Sequence, residues 1–277
     1  MIDANPAPHA AANTAAHPTS APVLAARALR RAYGSTVALD GVDLDIRAGE
    51  SVAIMGPPGS GKSTLLHALA GIERPDSGSV RFTAAGGPAR EITALGESER
   101  SGLRRESFGF VFQSELLIPE LTAAENVAMA LMINGVPRAA ALLRASEWLV
   151  ALGLGGMEER RIGQLSGGQA QRVAIARAQV TGAQVTFADE PTGALDSGTG
   201  TEVLRILMDS TTGRGNTLVM VTHDADVAAR CDRVIRLRDG RILAEHRAGV
   251  ATDVGAAPSA APSAAPTAAA NTAGAVN

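Results

Sequence analysis

A glycine-rich octapeptide that follows an apolar run is the first segment whose residue types could bind a ligand. Gly56-Pro57-Pro58-Gly59-Ser60-Gly61-Lys62-Ser63 has the spacing G-x-x-x-x-G-K-[ST] between a predicted strand and a predicted helix. Its main-chain N–H groups can wrap phosphate oxygens, and the Lys62 ammonium adds a positive charge. The Ser63 hydroxyl suits Mg²⁺. The sequence therefore predicts that this octapeptide, the phosphate loop, binds a nucleotide together with Thr64.

Two adjacent carboxylates end a second apolar run, Val185 to Ala188. Asp189 is expected to hold Mg²⁺ through its water shell. Glu190, one step further along a strand, would point the other way and could polarise a water that attacks a phosphate. The alternative is a solvated strand end without chemistry.

The pentapeptide Leu165-Ser166-Gly167-Gly168-Gln169 predicts a second helix start that could bind an anion. Ser166 is a good N-cap for the periodic run Gln169 to Val180, and the two glycines lack a Cβ, so their N–H groups can approach an anion closely. A plain glycine-rich turn is the alternative for this segment taken alone. Two anion sites far apart in the chain indicate one nucleotide held between two surfaces.

In this order, the three motifs resemble those of the ATP-binding cassette (ABC) ATPases, over nearly all of Val23 to Glu245. The resemblance implies an α/β fold: a P-loop NTPase core of ABC type with an antiparallel β subdomain and an inserted helical subdomain. It implies ATP and Mg²⁺ as ligands. The implied catalytic side chains are Gln113, Glu190 and His223, and the implied metal ligands are Ser63, Gln113 and Asp189.

Three of these assignments depend on position in the chain. His223 follows a predicted strand and matches the switch histidine, which contacts the γ-phosphate and helps Glu190 to position water. Gln113 closes a strand at the entrance to the helical insert, as the Q-loop glutamine does, and would reach Mg²⁺ and the water. Tyr33 matches the aromatic residue that stacks on adenine.

The resemblance also implies a head-to-tail homodimer with two ATP molecules at its interface. Each phosphate loop would face residues 165–169, the signature segment, of the other copy. Ala194, Leu195 and Asp196 match the D-loop, which crosses that interface.

Longer phrases, such as Gly109 to Gln113 and Asp189 to Gly193, are similar to the subgroup of macrolide-exporter, lipoprotein-release and cell-division ATPases. This subgroup implies an integral membrane permease partner with a large extracytoplasmic domain, whose cytoplasmic helix enters a groove beside Gln113. The alternative is a soluble ABC-type ATPase acting on ribosomes or nucleic acid. Such proteins usually carry two cassettes or a coiled-coil insertion, and neither is evident here. A P-loop kinase would lack the signature segment.

Three residues depart from the family pattern. Pro58 offers neither a side-chain donor nor an N–H where a polar residue is usual, which predicts a modest handicap. Thr186 is more polar than the usual aliphatic residue. Ala170 stands where Gln is frequent, and is interpreted as a surface change.

Short apolar runs alternate with helical ones, as in α/β proteins. The predicted strands are 23–29, 38–46, 51–55, 80–82, 107–112, 185–188, 218–222, 234–237 and 242–245, and the predicted helices are 63–70, 123–133, 138–152 and 169–180. The helical subdomain is expected over about 114–165 within an ATPase domain at 23–248. The flanking segments 1–22 and 249–277 are rich in Ala, Pro, Ser and Thr and are expected to be disordered.

Composition narrows the function classes. A net charge of −3 argues against nucleic acid as the main partner. Cys231 is the single cysteine, which excludes an intrachain disulfide and fits a reducing cytosol. It is expected to be a small, half-buried hydrophobic residue. No apolar run approaches a membrane span, and no signal peptide is recognisable. Together with the permease that the resemblance implies, this predicts a location at the cytoplasmic face of the membrane.

Overall fold

The computed structural model describes residues 21–247, so the two expected terminal tails lie outside it apart from Ala21 and Pro22. Within that range ten strands form two sheets, and seven α-helices pack around them. None of these helices combines the length and apolarity that crossing a bilayer would require.

Four strands form an antiparallel sheet in the order β2-β1-β4-β5. In β2 the predicted alternation is observed, because Val42, Leu44 and Ile46 are buried while the aspartates between them are exposed. The four strands are β1 (Leu24–Tyr33), β2 (Thr36–Ile46), β4 (Ser77–Thr83) and β5 (Ala89–Glu91).

The second sheet has six strands in the order β10-β9-β3-β8-β7-β6, and all neighbours are parallel except β10 and β9. Its central strands are buried on both faces, as their continuous apolar runs require. Since the carboxyl ends of parallel strands share one edge, the loops after β3, β6, β7 and β8 meet there. The strands are β3 (Ser51–Met55), β6 (Phe108–Phe112), β7 (Val185–Asp189), β8 (Thr217–Val221), β9 (Arg233–Arg238) and β10 (Arg241–Arg247).

The helices divide the core into two clusters on either side of this sheet. In β3, Val52 and Ile54 face the cluster formed with α1 and the antiparallel sheet, and Ala53 faces the cluster formed with α3 to α6. The helices are α1 (Lys62–Leu69), α2 (Glu97–Ser107), α3 (Ala123–Met132), α4 (Arg138–Ala151), α5 (Gly167–Gln179), α6 (Ser197–Ser210) and α7 (Ala225–Ala228).

Helix α2 was not predicted, because its sequence buries a single apolar side chain, Leu103, and so lacks an apolar stripe. Ion pairs from Glu97 to Arg100 and Arg104 stabilise it instead. Helix α6 was also missed. By contrast, α3 begins at the predicted capping box, in which Thr122 Oγ1 accepts a hydrogen bond from Glu125 N and the Glu125 carboxylate accepts one from Thr122 N.

Candidate nucleotide-binding and hydrolysis site

The phosphate loop runs between the two sheets, and its glycines are there because neighbouring main-chain oxygens leave no room for side chains. A Cβ on Gly56 would lie 2.1 Å from Leu237 O in β9, and a Cβ on Gly61 would lie 2.1 Å from Ala38 O in β2. Gly61 also has φ +96°, in the left-handed region. Gly240 joins the sheets at the same point: its N–H donates to Ser60 O (3.1 Å), and its carbonyl accepts from Asp40 N (2.9 Å).

The loop presents groups suited to a polyphosphate. Helix α1 begins at Lys62, so its free N–H groups and positive end face the loop, and Lys62 Nζ lies 2.9 Å from Pro57 O. Within the described residues the buried Ser60 hydroxyl has no hydrogen-bond partner. This cradle of glycines, helix start and ammonium fits a nucleotide phosphate. Pro58 lies exposed on it and, as expected, offers no N–H.

Two side-chain oxygens that could bind a metal, one from Ser63 and one from Asp189, lie between the phosphate loop and β7. Ser63 Oγ donates to Asp189 Oδ1 at 3.4 Å. Residues 21–247 hold no cluster of three or more His, Cys, Asp or Glu side chains that could bind a metal. The pair nevertheless fits Mg²⁺, which in nucleotide sites takes one or two protein oxygens and completes its shell with phosphate and water.

Glu190 lies just outside β7, which ends at Asp189. Its φ is +48°, a left-handed conformation that is strained for a residue with a Cβ, and its N–H donates to Val221 O (3.0 Å) at the end of β8. The interpretation that strand alternation separates Glu190 from Asp189 was therefore wrong, because the strand ends at Asp189 and this left-handed turn directs the Glu190 side chain.

His223 is the partner of Glu190. Its Nδ1 lies 2.8 Å from Glu190 Oε1, and this hydrogen bond raises the pKa of the imidazole. The Glu190 side chain is mostly shielded, with 19% of its surface exposed, whereas that of His223 is 72% exposed. The pair thus combines a shielded carboxylate with an imidazole open to an incoming ligand.

The structure brings Gln113 to the same edge. A Cβ on Gly193 would lie 3.1 Å from Gln113 Nε2 and 3.5 Å from Glu190 Cβ, so the missing side chain of Gly193 lets the amide approach the Glu190 loop. Gly193 N donates to Glu190 O (3.0 Å). Sequence reasoning did not assign this role to Gly193, because a close approach between distant segments has no local signal.

Tyr33 ends β1, beside the strand that packs against the phosphate loop, and 47% of its surface is exposed. Its hydroxyl donates to Glu73, and the Arg31 guanidinium lies 4.8 Å from the ring centroid. The ring is thus already oriented by two contacts.

Residues 165–169 begin α5 as predicted, except that the helix starts at Gly167, two residues before the predicted start. Ser166 Oγ accepts from Gln169 N (3.3 Å), and Gln169 Oε1 accepts from Ser166 N (2.9 Å). The two glycines differ. Gly167 is exposed, whereas Gly168 is buried, and a Cβ on it would lie 2.3 Å from Thr199 Cγ2 in α6. Gly168 therefore serves helix packing, and Gly167 remains the one open to an anion.

The D-loop residues lie against this segment. A Cβ on Gly167 would be 3.2 Å from Leu195 Cδ2. Asp196 caps α6 by accepting from Thr199 N (3.0 Å) and Gly198 N (3.1 Å), and these bonds, that of Thr199 first, lower the pKa of the carboxyl. Ala194 precedes them in the same loop.

Two expectations about burial were wrong. Ala170 is buried at 5% exposure rather than lying on the surface, because it lies on the inner face of α5. Cys231 is fully buried rather than half-buried, and this burial raises the pKa of its thiol to about 12. Thr186, the polar departure in β7, has a partner, since its Oγ1 accepts from the buried Gln179 Nε2 at 2.8 Å.

Comparisons with known proteins identify the family of the chain. A family model described as ABC transporter matches residues 39–193. The chain is 47% identical over 229 residues to the macrolide export ATP-binding/permease protein MacB of Nitrosomonas europaea, covering 81% of this chain and 34% of that protein. It is 45% identical over 229 residues to the pyoverdine export ATP-binding/permease protein PvdT of Pseudomonas aeruginosa, with the same coverage. The chain thus spans about a third of the length of these relatives.

Solved structures are similar over most of their length. The dimeric post-hydrolysis state of the ATP-binding cassette MJ0796 bound to ADP and Pi matches with a TM-score of 0.73 and 38% identity, covering 81% of this chain and 98% of that one. The cbiO1 protein of Clostridium perfringens, part of the ABC transporter complex cbiONQ, matches with a TM-score of 0.73 and 29% identity, covering 83% and 90%. The solved structures confirm the predicted fold class. The MacB and PvdT relatives confirm the predicted similarity to the macrolide-exporter subgroup.

Proposed function

We propose that this chain, which belongs to the ABC transporter family and is an ATPase of that family, drives a membrane permease. That permease would export an extracytoplasmic substrate or act mechanically on one. The observation that carries the chemistry is the meeting of four loops at one sheet edge. There the Ser63–Asp189 pair lies beside the Glu190–His223 pair.

The residues have separate roles in this proposal. The phosphate loop and Thr64 bind the ATP phosphates, and Tyr33 stacks on the base. Ser63, Asp189 and Gln113 hold Mg²⁺, which when bound neutralises phosphate charge. Glu190 polarises the attacking water, and His223 orients Glu190 while its exposed ring contacts the γ-phosphate.

Glu190→Gln tests the chemistry. The amide keeps the shape of the side chain but is a far weaker base, so turnover should fall by at least about a hundredfold while ATP affinity stays within about twofold. Phosphate release under saturating ATP and equilibrium binding of a fluorescent ATP analogue measure the two quantities. Near-normal phosphate release by this variant would remove Glu190 from the mechanism.

Two copies are proposed to enclose two ATP molecules, as a dimeric ABC cassette. Ser166 and Gly167 lie exposed at the start of α5 and can face the phosphate loop of the other copy. Multiply charged phosphates held between two sets of donors would close the dimer, and loss of the γ-phosphate would reopen it.

A groove of about 510 Å³ between β6, α2 and α3 is the proposed docking site for a cytoplasmic helix of the permease. Its lining includes Phe110, Phe112, Ile133 and Arg105, and the exposed Leu116 follows Gln113 closely at its edge. Docking there would place this subunit on the cytoplasmic face of the membrane.

Purification of the tagged protein from detergent-solubilised membranes tests the partner. The expected result is recovery of a permease with few spanning helices and a large extracytoplasmic domain. Recovery of ribosomes or nucleic acid would support the alternative of a soluble ATPase, and recovery of an importer with a solute-binding protein would exclude the export subgroup.

A further inference from the structure

The segment from Phe112 to Leu117, which carries Gln113, has a strained backbone. Leu116 has φ +49°, although it is not a glycine, and 60% of its surface is exposed. A left-handed conformation is unfavourable for a residue with a Cβ, because the Cβ lies too close to the following carbonyl oxygen. Other contacts must therefore hold this segment in place.

Two side chains of helix α5 provide such contacts, one on each side of Gln113. Before it, Gln171 Nε2 donates to Phe112 O at 3.1 Å. After it, the Arg177 guanidinium donates to Leu116 O at 2.6 Å and to Glu115 O at 2.7 Å. The three carbonyl groups thus bracket Gln113 and are all bound by the helix that begins at the signature segment.

Both donors are unusual for structural residues. Gln171 is 1% exposed, and its Oε1 has no hydrogen-bond partner in the part of the chain that the structure describes. The Arg177 guanidinium contacts main-chain carbonyls, and residues 21–247 provide no ion pair for it. Burial lowers the pKa of this guanidinium. An orphaned amide oxygen and a half-buried cation without an ion pair both cost stability, so stability alone does not account for them.

We infer that Gln171 and Arg177 are positioning residues, which hold Gln113 at the hydrolysis site and link its position to the signature end of α5. The inference depends on the proposed role of Gln113 but goes beyond it, because it couples two sites of one subunit. We call the Gln171 and Arg177 hydrogen bonds the two tethers. Movement of the signature segment by the other copy would be transmitted through them to the segment that carries Gln113. The Gln113 amide and the edge of the permease groove would then shift together.

Amide hydrogen exchange in the nucleotide-free protein tests the tethers without any ligand. In Arg177→Met, exchange at residues 113–117 should become faster by about tenfold or more, because bonds from a charged donor are among the stronger ones. Arg177→Lys should fall between Met and wild type, since an ammonium can reach one carbonyl. Arg74→Met is the matched control, because Arg74 also donates two bonds to a main-chain carbonyl, that of Thr93, away from this segment.

Steady-state ATP hydrolysis tests the consequence. Gln171→Met keeps the shape and removes the orphaned oxygen, so its melting temperature should stay within about 4 °C of wild type. Its kcat, and that of Arg177→Met, should fall by about tenfold at nearly unchanged KM, because misplacement of a catalytic group affects the chemical step.

Combination with Gln113→Ala decides whether the tethers act through Gln113. Added to that variant, Gln171→Met and Arg177→Met should lower kcat little further. Full additivity, or wild-type exchange and kcat in the tether variants, would overturn the inference. If Gln113→Ala alone kept wild-type kcat, that result would contradict the proposed role of Gln113 itself rather than the role of the tethers.

Discussion

Glu190 and His223 share one hydrogen bond, and their unequal exposure determines how the pair responds to pH. Bonding to Glu190 raises the pKa of His223, with a smaller contribution from the charge of Asp224. A group whose pKa is raised by folding contributes stability below its unfolded pKa, here about 6.5, and loses it as pH rises through the folded value. Because His223 is largely exposed, this contribution is small, and its effect is better seen in the imidazole itself.

NMR titration of the His223 ring is therefore the test at this scale. Its pKa should lie above about 6.5 in wild type and fall in Glu190→Gln, which removes the carboxylate. Asp224→Asn should lower it less. Equal effects of the two variants would show that general negative charge, and not the bond to Glu190, sets the pKa.

At the scale of elements, helix α5 contacts both strands that carry the site. Gln171 bonds the last residue of β6, Arg177 bonds the loop that follows it, and Gln179 bonds Thr186 within β7. Gln179 and Thr186 are both buried, so each polar group depends on the other. The polar departure of Thr186 from the family pattern is thus explained by a partner on the facing helix.

A double-mutant cycle measures this pair. Thr186→Val leaves the Gln179 amide without its partner and should lower the free energy of unfolding by about 1–3 kcal/mol. Gln179→Leu should also destabilise the protein. The double variant should recover most of the loss, because removing both partners of a buried bond is nearly neutral. Urea unfolding provides the values, and strictly additive losses would contradict the coupling.

The motifs could be predicted because their signals are local. Helix α1 follows the phosphate loop at residues 56–63, as predicted. Thr122 and Ser166 cap α3 and α5, also as predicted. Helix α2 could not be predicted, because ion pairs rather than an apolar stripe stabilise it. The buried position of Ala170, the role of Gly193 and the two tethers depend on contacts between segments far apart in sequence. No local pattern reports such contacts.

At the scale of the whole molecule, the proposed dimer would place the two halves of the ATP site on different copies of the chain. The exposed Gly167 lies at the start of α5, and Leu195 of the D-loop packs beside it. Closure of a dimer would therefore depend on small residues at this surface.

ATP-dependent dimerisation tests this arrangement. Glu190→Gln, which cannot hydrolyse ATP in this proposal, should elute as a dimer with ATP in gel filtration. Adding Gly167→Glu should abolish that dimer, because a carboxylate would face the phosphates, while each monomer still binds ATP. Arg144→Glu, an exposed change on α4, is the control and should leave the dimer intact. A dimer that survives Gly167→Glu would place the signature segment outside the interface.

The bonds that Gly240 makes have a consequence for movement. Its hydrogen bonds to Ser60 and Asp40 hold the phosphate loop between the two sheets. Main-chain atoms also pack closely against Gly56 and Gly61, so the loop has little room to move. The strand that ends at Tyr33, the phosphate loop and the ends of β7 and β8 must then travel as one rigid body during an ATP cycle. The segment after Gln113 is instead bound to α5 through Gln171 and Arg177. On this view ATP would leave its own cradle unchanged, and the helical insert, with whatever is docked on it, would move with the signature end of α5 relative to that rigid body.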